Sequence, residues 1–214
     1  MNVVFVTPDE RDEKRLITLA EEALEGGVDA VQLRLPGASA RELFPLAKII
    51  REIADRVGAS LYVNDRADVA LAAGAAGVHL AGHSLPASAA RAVLPRPFKV
   101  GASCHSVAEA IQAEAEGADY IYLGTIFPSP SKPGAPPIGL EELSRARREI
   151  RIPLIAIGGI TLGNVGAVLS AGADGVAVIS AIAGHRSPRE AAEGLVDAFK
   201  SWKGEKRPTV DVAE

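Results

Sequence analysis

The sequence predicts a single α/β domain, a (β/α)8 barrel of the TIM type. Three observations predict it: a motif that recurs four times, four further apolar runs between its copies, and amphipathic stretches between the runs. The chain has 214 residues, 48% of them hydrophobic, which suits one domain that buries about 70% of its unfolded surface. We expect residues 1–203 to form the barrel and residues 204–214, which lack periodicity, to form a flexible tail.

The recurring motif is a glycine, then two small or acidic residues, then a short apolar run. Its copies begin at Gly27, Gly74, Gly117 and Gly172, which are 47, 43 and 55 residues apart. A glycine that ends a helix just before an apolar run typically leads into a buried parallel strand. Each period has room for two β/α units, so four copies predict eight strands.

The other four strands and the helices fill the intervals between these copies. The predicted strands are Val3–Thr7, Ser60–Asn64, Lys99–Ser103 and Pro153–Ile157. Helical spacing of Ala, Leu, Ile and Val is clearest in Glu13–Glu25, Ser39–Val57, Val107–Glu116 and Pro188–Lys203. Regular alternation of strand and helix favours a parallel sheet covered on its faces, and eight units favour closure into a barrel. An open, doubly wound sheet is the alternative.

Composition excludes several classes of protein. A net charge of −4 and 4% aromatic residues give neither the basic surface nor the stacking platform of a nucleic-acid-binding protein. No apolar run approaches the roughly 20 residues that cross a bilayer, and the first residues lack the pattern of a secretion signal. The lone Cys104 cannot form an internal disulfide, which favours a reducing compartment. We expect a cytoplasmic protein with no nucleic-acid or membrane partner; a homo-oligomer is left open.

Polar residues follow the predicted strands, at the carboxyl ends where β/α barrels carry their active sites. His105 is the natural candidate for a proton shuttle, because an imidazole has a pKa near 6.5; the alternative is a capping or packing role. His79 lies within an apolar run, which favours a structural role. The polar residues are Gln32, Arg34, Asn64, Asp65, His79, His83, Ser84, Ser103, His105, Ser129, Ser131, Lys132 and Ser180.

The loops after the seventh and eighth strands predict a phosphate site. Gly158-Gly159-Ile160-Thr161 and Ile179-Ser180-Ala181 resemble the turns where backbone N–H groups and a helix N-terminus meet an anion. The alternative is two tight turns that only require glycine. Lys132 is a candidate to add a positive charge to the phosphate site; the alternative is an ordinary solvated lysine. Arg34 is predicted to meet an anion, or to pair with Asp65.

Seven motifs follow one another in order along the chain: Gln32-Leu33-Arg34, Val63-Asn64-Asp65, Gly77-Val78-His79-Leu80, Gly101–Ser106, Ala118–Lys132, Ile157–Ile160 and Gly175–Ser180. On these motifs the chain resembles the thiamine-phosphate synthase and thiazole tautomerase family, from about Val3 to Phe199. The resemblance implies a thiamine-biosynthesis enzyme that binds a small-molecule thiazole phosphate. It implies phosphate binding by Gly158, Gly159, Ile179 and Ser180, and substrate binding by Gln32, Arg34, Asn64, Ser103, Ser129, Ser131 and Lys132.

Two departures from the family pattern concern its synthases. These join an aminopyrimidine pyrophosphate to a thiazole phosphate, with magnesium stabilising the departing pyrophosphate. They carry a lysine two positions after the arginine of Gln-x-Arg, and an acidic metal ligand shortly after the fourth-strand histidine. Those positions are Pro36 and Ser84 here. The resemblance therefore implies Mg²⁺, through Asp65, only if the chain is a synthase.

Three functions are consistent with this pattern. Our first hypothesis is a thiazole tautomerase, an isomerase that needs no cofactor, in which His105 is the general acid and base and Arg34 or Lys132 meets the substrate carboxylate. The second is a thiamine-phosphate synthase, a Mg²⁺-dependent transferase that tolerates the altered positions. The third is a non-catalytic sensor of thiazole phosphate.

Overall fold

The computed structural model describes residues 1–131 and 134–205. Eight parallel strands close into a barrel in the order β1 to β8, so the predicted (β/α)8 barrel is confirmed and the open sheet is wrong. The strands are β1 Val3–Val6, β2 Ala30–Leu33, β3 Ser60–Asn64, β4 Gly77–Leu80, β5 Lys99–Cys104, β6 Tyr120–Leu123, β7 Leu154–Ile157 and β8 Gly175–Val178.

Helices follow the strands and cover the barrel. None of those within residues 1–131 and 134–205 has the length and apolar character that a membrane span requires. The last helix continues to Glu205, past the predicted boundary at 203, and residues 206–214 of the predicted tail lie outside the described residues. The helices are α1 Glu13–Glu25, α2 Ala40–Arg56, α3 Ala67–Ala72, α4 Ala87–Val93, α5 Val107–Ala115, α6 Gly139–Glu149, α7 Val165–Ser170, α8 Ser180–Ala183 and α9 Pro188–Glu205.

Short polar residues fix where several helices begin. The Asp12 carboxylate accepts from the backbone N–H groups of Lys14 and Arg15 in α1, and Ser39 forms a capping box with Glu42 in α2. Ser106 caps α5 by accepting from the Glu109 N–H at 3.2 Å. This cap starts α5 immediately after β5, so His105 lies in the turn between them, at the mouth of the barrel.

The acidic residue of the recurring motif joins strands at the amino end of the barrel. In three copies its carboxylate accepts the N–H of the first or second residue of the preceding strand, at 2.7 to 2.9 Å. Its own N–H donates to the carbonyl of that same residue. The second copy has Ala76 at this position and keeps only the backbone bond, to Leu61. The pairs are Asp29 with Val3, Asp119 with Val100, and Asp174 with Leu154.

Alternation along the strands builds the barrel interior in layers. Space is tight near the amino end: a Cβ on Gly101 would lie 2.1 Å from the Tyr120 ring, so glycine is required there. The next layer toward the mouth comes from the even-numbered strands, and we call it the floor because it is the deepest layer that the cavity above it touches. The floor consists of Gln32, His79, Tyr122 and Ala177.

Candidate active site

A cavity of about 570 Å³ opens at the carboxyl ends of the strands, a size typical of small-molecule sites. The predicted phosphate-binding and substrate-binding residues, Asp65 and His105 all line it where the structure describes them, whereas Ser84 does not line it and Lys132 lies outside the described residues. The assigned functions of these residues remain predictions. The residues brought together are Gln32, Arg34, Asn64, Asp65, Ser103, His105, Ser129, Ser131, Gly158, Gly159, Ile179 and Ser180.

His79 is a buried, neutral part of the floor. Its Nε2 lies 2.8 Å from the Ser103 Oγ, and its Nδ1 lies 3.3 Å from the Tyr120 hydroxyl. Burial lowers the pKa of His79 from 6.5 to about 3, because the charged imidazolium would lose its hydration. The Tyr122 ring packs against it with ring centroids 4.0 Å apart. These contacts agree with the predicted structural role.

A chain of three polar side chains leads from the rim of the cavity to the floor. The Gln32 Nε2 donates to the Asn64 Oδ1 at 2.8 Å, and the Asn64 Nδ2 donates to the Asp65 Oδ2 at 2.7 Å. An ionised carboxylate only accepts hydrogen bonds. Asp65 therefore fixes the orientation of the Asn64 amide, and Asn64 fixes that of Gln32.

Asp65 accepts its hydrogen bonds from neutral donors, and its Oδ2 also lies 3.8 Å from the Nε2 of the exposed His83. The Asp65 backbone has φ of 57°, a left-handed conformation that turns the chain sharply after β3. Its Oδ1 accepts from the Ala81 N–H at 2.8 Å and from the Ser84 hydroxyl. No carboxylate lies within ion-pair distance of Arg34 among residues 1–131 and 134–205, so the alternative of an Arg34–Asp65 pair is wrong.

The donors around Asp65 decide whether the residues fit a magnesium ion. Its Oδ1 accepts two hydrogen bonds and its Oδ2 accepts one, so little lone-pair capacity remains for a cation. Within the described part of the chain, no cluster of three or more His, Cys, Asp or Glu side chains is arranged to hold a metal ion. Mg²⁺ needs oxygen ligands in near-ideal octahedral geometry. The side chains present therefore do not fit a magnesium site held by the protein.

Two glycines after β7 form a turn that brings backbone close to the cavity. Gly158 has φ of 100° and Gly159 has φ of 64°. A Cβ on Gly159 would lie 2.5 Å from the Pro128 carbonyl oxygen, so a side chain is excluded by space as well as by conformation. Asn164 holds the turn, because its Nδ2 donates to the Gly159 carbonyl at 3.0 Å and its Oδ1 accepts from the Thr161 N–H at 2.8 Å.

The turn after β8 lies beside the glycine turn, because β7 and β8 are paired neighbours. Here α8 begins at Ser180, directly after Ile179. The first N–H groups of a helix have no acceptor within the helix, so they are available to an anion. The two turns together present backbone donors on one wall of the cavity.

His105 lies on the wall formed by the end of β5 and the start of α5. Its side chain is 42% exposed, and its Nδ1 lies 3.4 Å from the Glu109 carboxylate, one helical turn along α5. The same carboxylate accepts the His105 backbone N–H at 2.7 Å. Gly82 lies beside the imidazole: a Cβ there would be in ordinary van der Waals contact with the His105 Cε1, at 3.5 Å.

Among the cavity-lining residues that sequence reasoning missed, Glu109 and Tyr122 could have been found. Glu109 follows His105 by four residues, and this spacing within a helix could have indicated the contact. Tyr122 lies in the apolar run of the motif copy that begins at Gly117, so its residue type alone does not indicate a site. Its position on an even-numbered strand, like that of Gln32 and His79, could have placed it inside the barrel.

The fold and the cavity define a β/α-barrel enzyme with its site at the carboxyl ends of the strands. Residues 3–182 match the model of the family described as thiamine monophosphate synthase. The chain therefore belongs to this thiamine-biosynthesis family, and the resemblance inferred from the sequence is confirmed.

Several relatives cover nearly the whole chain. The thiamine-phosphate synthase of Methanoculleus marisnigri is 49% identical over 88% of this chain and 90% of its own length. That of Pyrococcus horikoshii is 42% identical over 90% of this chain and 92% of its own. A solved structure of thiamine phosphate pyrophosphorylase from Pyrococcus furiosus superposes with a TM-score of 0.86, at 38% identity over 94% and 96% of the two chains. These names favour our second hypothesis over the first.

Proposed function

We propose that this chain is a thiamine-phosphate synthase, which joins an aminopyrimidine pyrophosphate to a thiazole phosphate. The observation that carries the proposal is that one cavity has two distinct polar ends. The polar chain from Gln32 to Asp65 forms one end, and the turns after β7 and β8 form the other. Synthases that are 42% to 49% identical over most of both chains support the same reaction.

In this proposal the thiazole phosphate binds at the β7 and β8 turns. Backbone N–H groups at Gly159 and Ser180 donate to its phosphate. The wall is too tight at position 159 for any side chain. Ser129 and Ser131 lie at the same cavity and supply hydroxyl groups to the ligand. Lys132, by resemblance, adds a positive charge to this end.

The pyrophosphate is assigned to Arg34. Its guanidinium lines the cavity and has no carboxylate within ion-pair distance in the described part of the chain, so it can neutralise an incoming anion. The family's synthases use magnesium to stabilise the departing pyrophosphate. Since the side chains around Asp65 do not fit such an ion, no step proposed for this chain depends on a metal held by the protein.

The test is formation of thiamine phosphate from both substrates, with and without Mg²⁺. We expect product from the wild type, and a fall in kcat/KM of roughly 100-fold or more in Arg34→Ala, because a cation facing developing charge is lost. Arg148→Ala, which removes an exposed arginine of α6, is the matched control and should react like the wild type. No product under either condition would remove the proposal.

A thiazole tautomerase is the second candidate, and the contact between His105 and Glu109 is the observation that favours it. A carboxylate 3.4 Å from Nδ1 can hold the imidazole in one tautomer, as a group that exchanges protons with a ligand requires. This reaction needs no cofactor. It is tested by supplying the non-aromatic thiazole carboxylate phosphate and following aromatisation.

The variants for this test are His105→Gln and Glu109→Gln. If the chain is a tautomerase, His105→Gln should lower the rate by about 10²–10⁴-fold, and Glu109→Gln should lower it less. A wild type that does not accelerate aromatisation excludes this candidate. Tight binding of thiazole phosphate with neither reaction would leave the sensor as the function.

A further inference from the structure

Two polar atoms of the floor are buried and have no hydrogen-bond partner in the described structure: the Gln32 Oε1 and the Tyr122 hydroxyl. Gln32 is 2% exposed and Tyr122 about 1% exposed, so bulk water does not satisfy either atom. Buried polar groups are nearly always paired, because an unpaired one costs folding free energy. Both side chains line the cavity, so both orphaned atoms point to a ligand that enters it.

The two orphaned atoms come from opposite walls of the barrel. β2 and β6 are four strands apart in a closed barrel of eight, so Gln32 and Tyr122 face each other across the floor. His79, on β4 between them, already has both ring nitrogens close to other groups, Ser103 and Tyr120. Ala177, on β8, contributes only a methyl group. A ligand on the floor therefore meets one polar atom from each side.

The hydrogen-bonding sense of each atom follows from its neighbours. The Asp65 carboxylate orients Asn64, which in turn commits the Gln32 Nε2, so the Gln32 Oε1 can only accept. Burial raises the pKa of Tyr122, so its hydroxyl keeps its proton and can donate. His79 is neutral, so the floor carries no formal charge. Such a floor suits an uncharged planar ring better than a phosphate.

We propose that Tyr122 is a substrate-specificity residue whose hydroxyl donates a hydrogen bond to a ring nitrogen of the aminopyrimidine. The naming of this substrate rests on the proposed synthase function. A 4-aminopyrimidine has an amino group that can donate to the Gln32 Oε1, and its N1 lies directly across the ring from that group. A thiazole has no N–H to satisfy an orphaned acceptor. The floor therefore selects the aminopyrimidine, and the Tyr122 hydroxyl donates to the ring nitrogen opposite the amino group.

The test is calorimetric binding of the aminopyrimidine monophosphate, which cannot react, and of the thiazole phosphate. Tyr122→Phe removes only the hydroxyl and should weaken aminopyrimidine binding by roughly 3- to 10-fold, the effect of one neutral hydrogen bond. Binding of thiazole phosphate should not change. Tyr62→Phe is the matched control, because Tyr62 is also buried but does not line the cavity.

An analogue with CH in place of N1 separates recognition from packing. Wild type and Tyr122→Phe should bind this analogue equally, because the acceptor is gone. Equal binding of the true aminopyrimidine by both proteins, or an equal loss of thiazole phosphate binding in Tyr122→Phe, would overturn the proposal. These measurements do not depend on turnover. A failure to form thiamine phosphate would therefore count against the proposed function alone, and the binding data would still test the role of Tyr122.

Discussion

The Ser84 hydroxyl donates a hydrogen bond to the Oδ1 of Asp65, at the rim of the cavity. Ser84 occupies the position where, by resemblance, the family's synthases carry an acidic metal ligand. The contact ties the loop after β4 to the end of β3, together with the Ala81 N–H that reaches the same oxygen. Asp65 thus acts here as a hydrogen-bond acceptor that positions Asn64 and the loop, a task that needs no metal.

Ser84→Asp should create a magnesium site. It places a second carboxylate against Asp65, and without a cation the two negative charges repel each other. We expect Tm in EDTA to fall by about 2–4 °C, for a loss of about 1 kcal/mol, and excess Mg²⁺ to restore it. The wild type should show little change with Mg²⁺. Differential scanning calorimetry at fixed ionic strength measures both effects.

Ser84→Asn is the control for this substitution, because it has the size of aspartate without the charge. It should lower Tm without any response to Mg²⁺. If Ser84→Asp also fails to respond, the geometry around Asp65 is unsuited to a metal even with two carboxylates. If the wild type responds as strongly as Ser84→Asp, our conclusion about the donor set is wrong.

Gly159→Ala should weaken phosphate binding. The new Cβ would collide with the Pro128 carbonyl oxygen at a residue with positive φ, so the turn must move. We expect a loss of about 1–3 kcal/mol in unfolding free energy and at least a tenfold rise in the Kd for thiazole phosphate. Gly166→Ala in α7, where a Cβ meets nothing within 4 Å, should leave binding unchanged. Tenfold weaker binding in both variants would point to a global effect.

His79 should make stability depend on pH. Its pKa in the folded protein, about 3, lies below that of the unfolded chain, about 6.5, so between these values the unfolded state binds a proton that the folded state does not. This contribution is fully present above pH 6.5 and falls by about 1.4 kcal/mol per pH unit below it. Urea unfolding between pH 4 and 7.5 gives the free energy of unfolding at each pH. Its slope against pH should correspond to one proton fewer in His79→Gln than in the wild type.

The control for this experiment is His185→Gln, because His185 is exposed. It should keep the wild-type slope. If His79→Gln keeps the wild-type slope as well, the imidazole is not buried as described. The effect of His79→Gln on absolute stability is a separate quantity, since the variant also loses the contacts with Ser103 and Tyr120.

The sequence was sufficient to predict the barrel because its signals are local. Glycine at the end of a helix and a short apolar run are chain-neighbour patterns, and both survive in all four copies of the motif. The function of the motif's aspartate was not predictable in this way. The bond from Val3 to Asp29 spans 26 residues and depends on how two strands pair, which no local pattern reveals.

The site was predictable in outline for the same reason. Polar residues after strands must meet at one end of a closed barrel, so Asn64, Ser103 and Gly158 could be grouped before their contacts were known. The direction of each hydrogen bond could not be predicted. The Gln32 Oε1 and the Tyr122 hydroxyl lack partners because of how side chains pack across the barrel. Sequence does not reveal this packing, and a tyrosine is common at any buried strand position.

Asp29→Ala should lower stability without changing the active site. Asp29 accepts the backbone N–H groups of Asn2 and Val3 at 2.9 and 2.8 Å, at the amino end of the barrel and opposite the cavity. Bonds to a charged acceptor matter more than neutral ones, although Asp29 is exposed, so we expect a loss of about 1–2 kcal/mol and a Tm lower by about 3–6 °C. Asp55→Ala removes a surface ion pair with Arg51 and should cost less than about 0.5 kcal/mol.

Affinity for thiazole phosphate should stay at the wild-type value in both variants, since neither residue lines the cavity. A loss of binding in Asp29→Ala at a temperature where it is fully folded would mean that the two ends of the barrel are coupled.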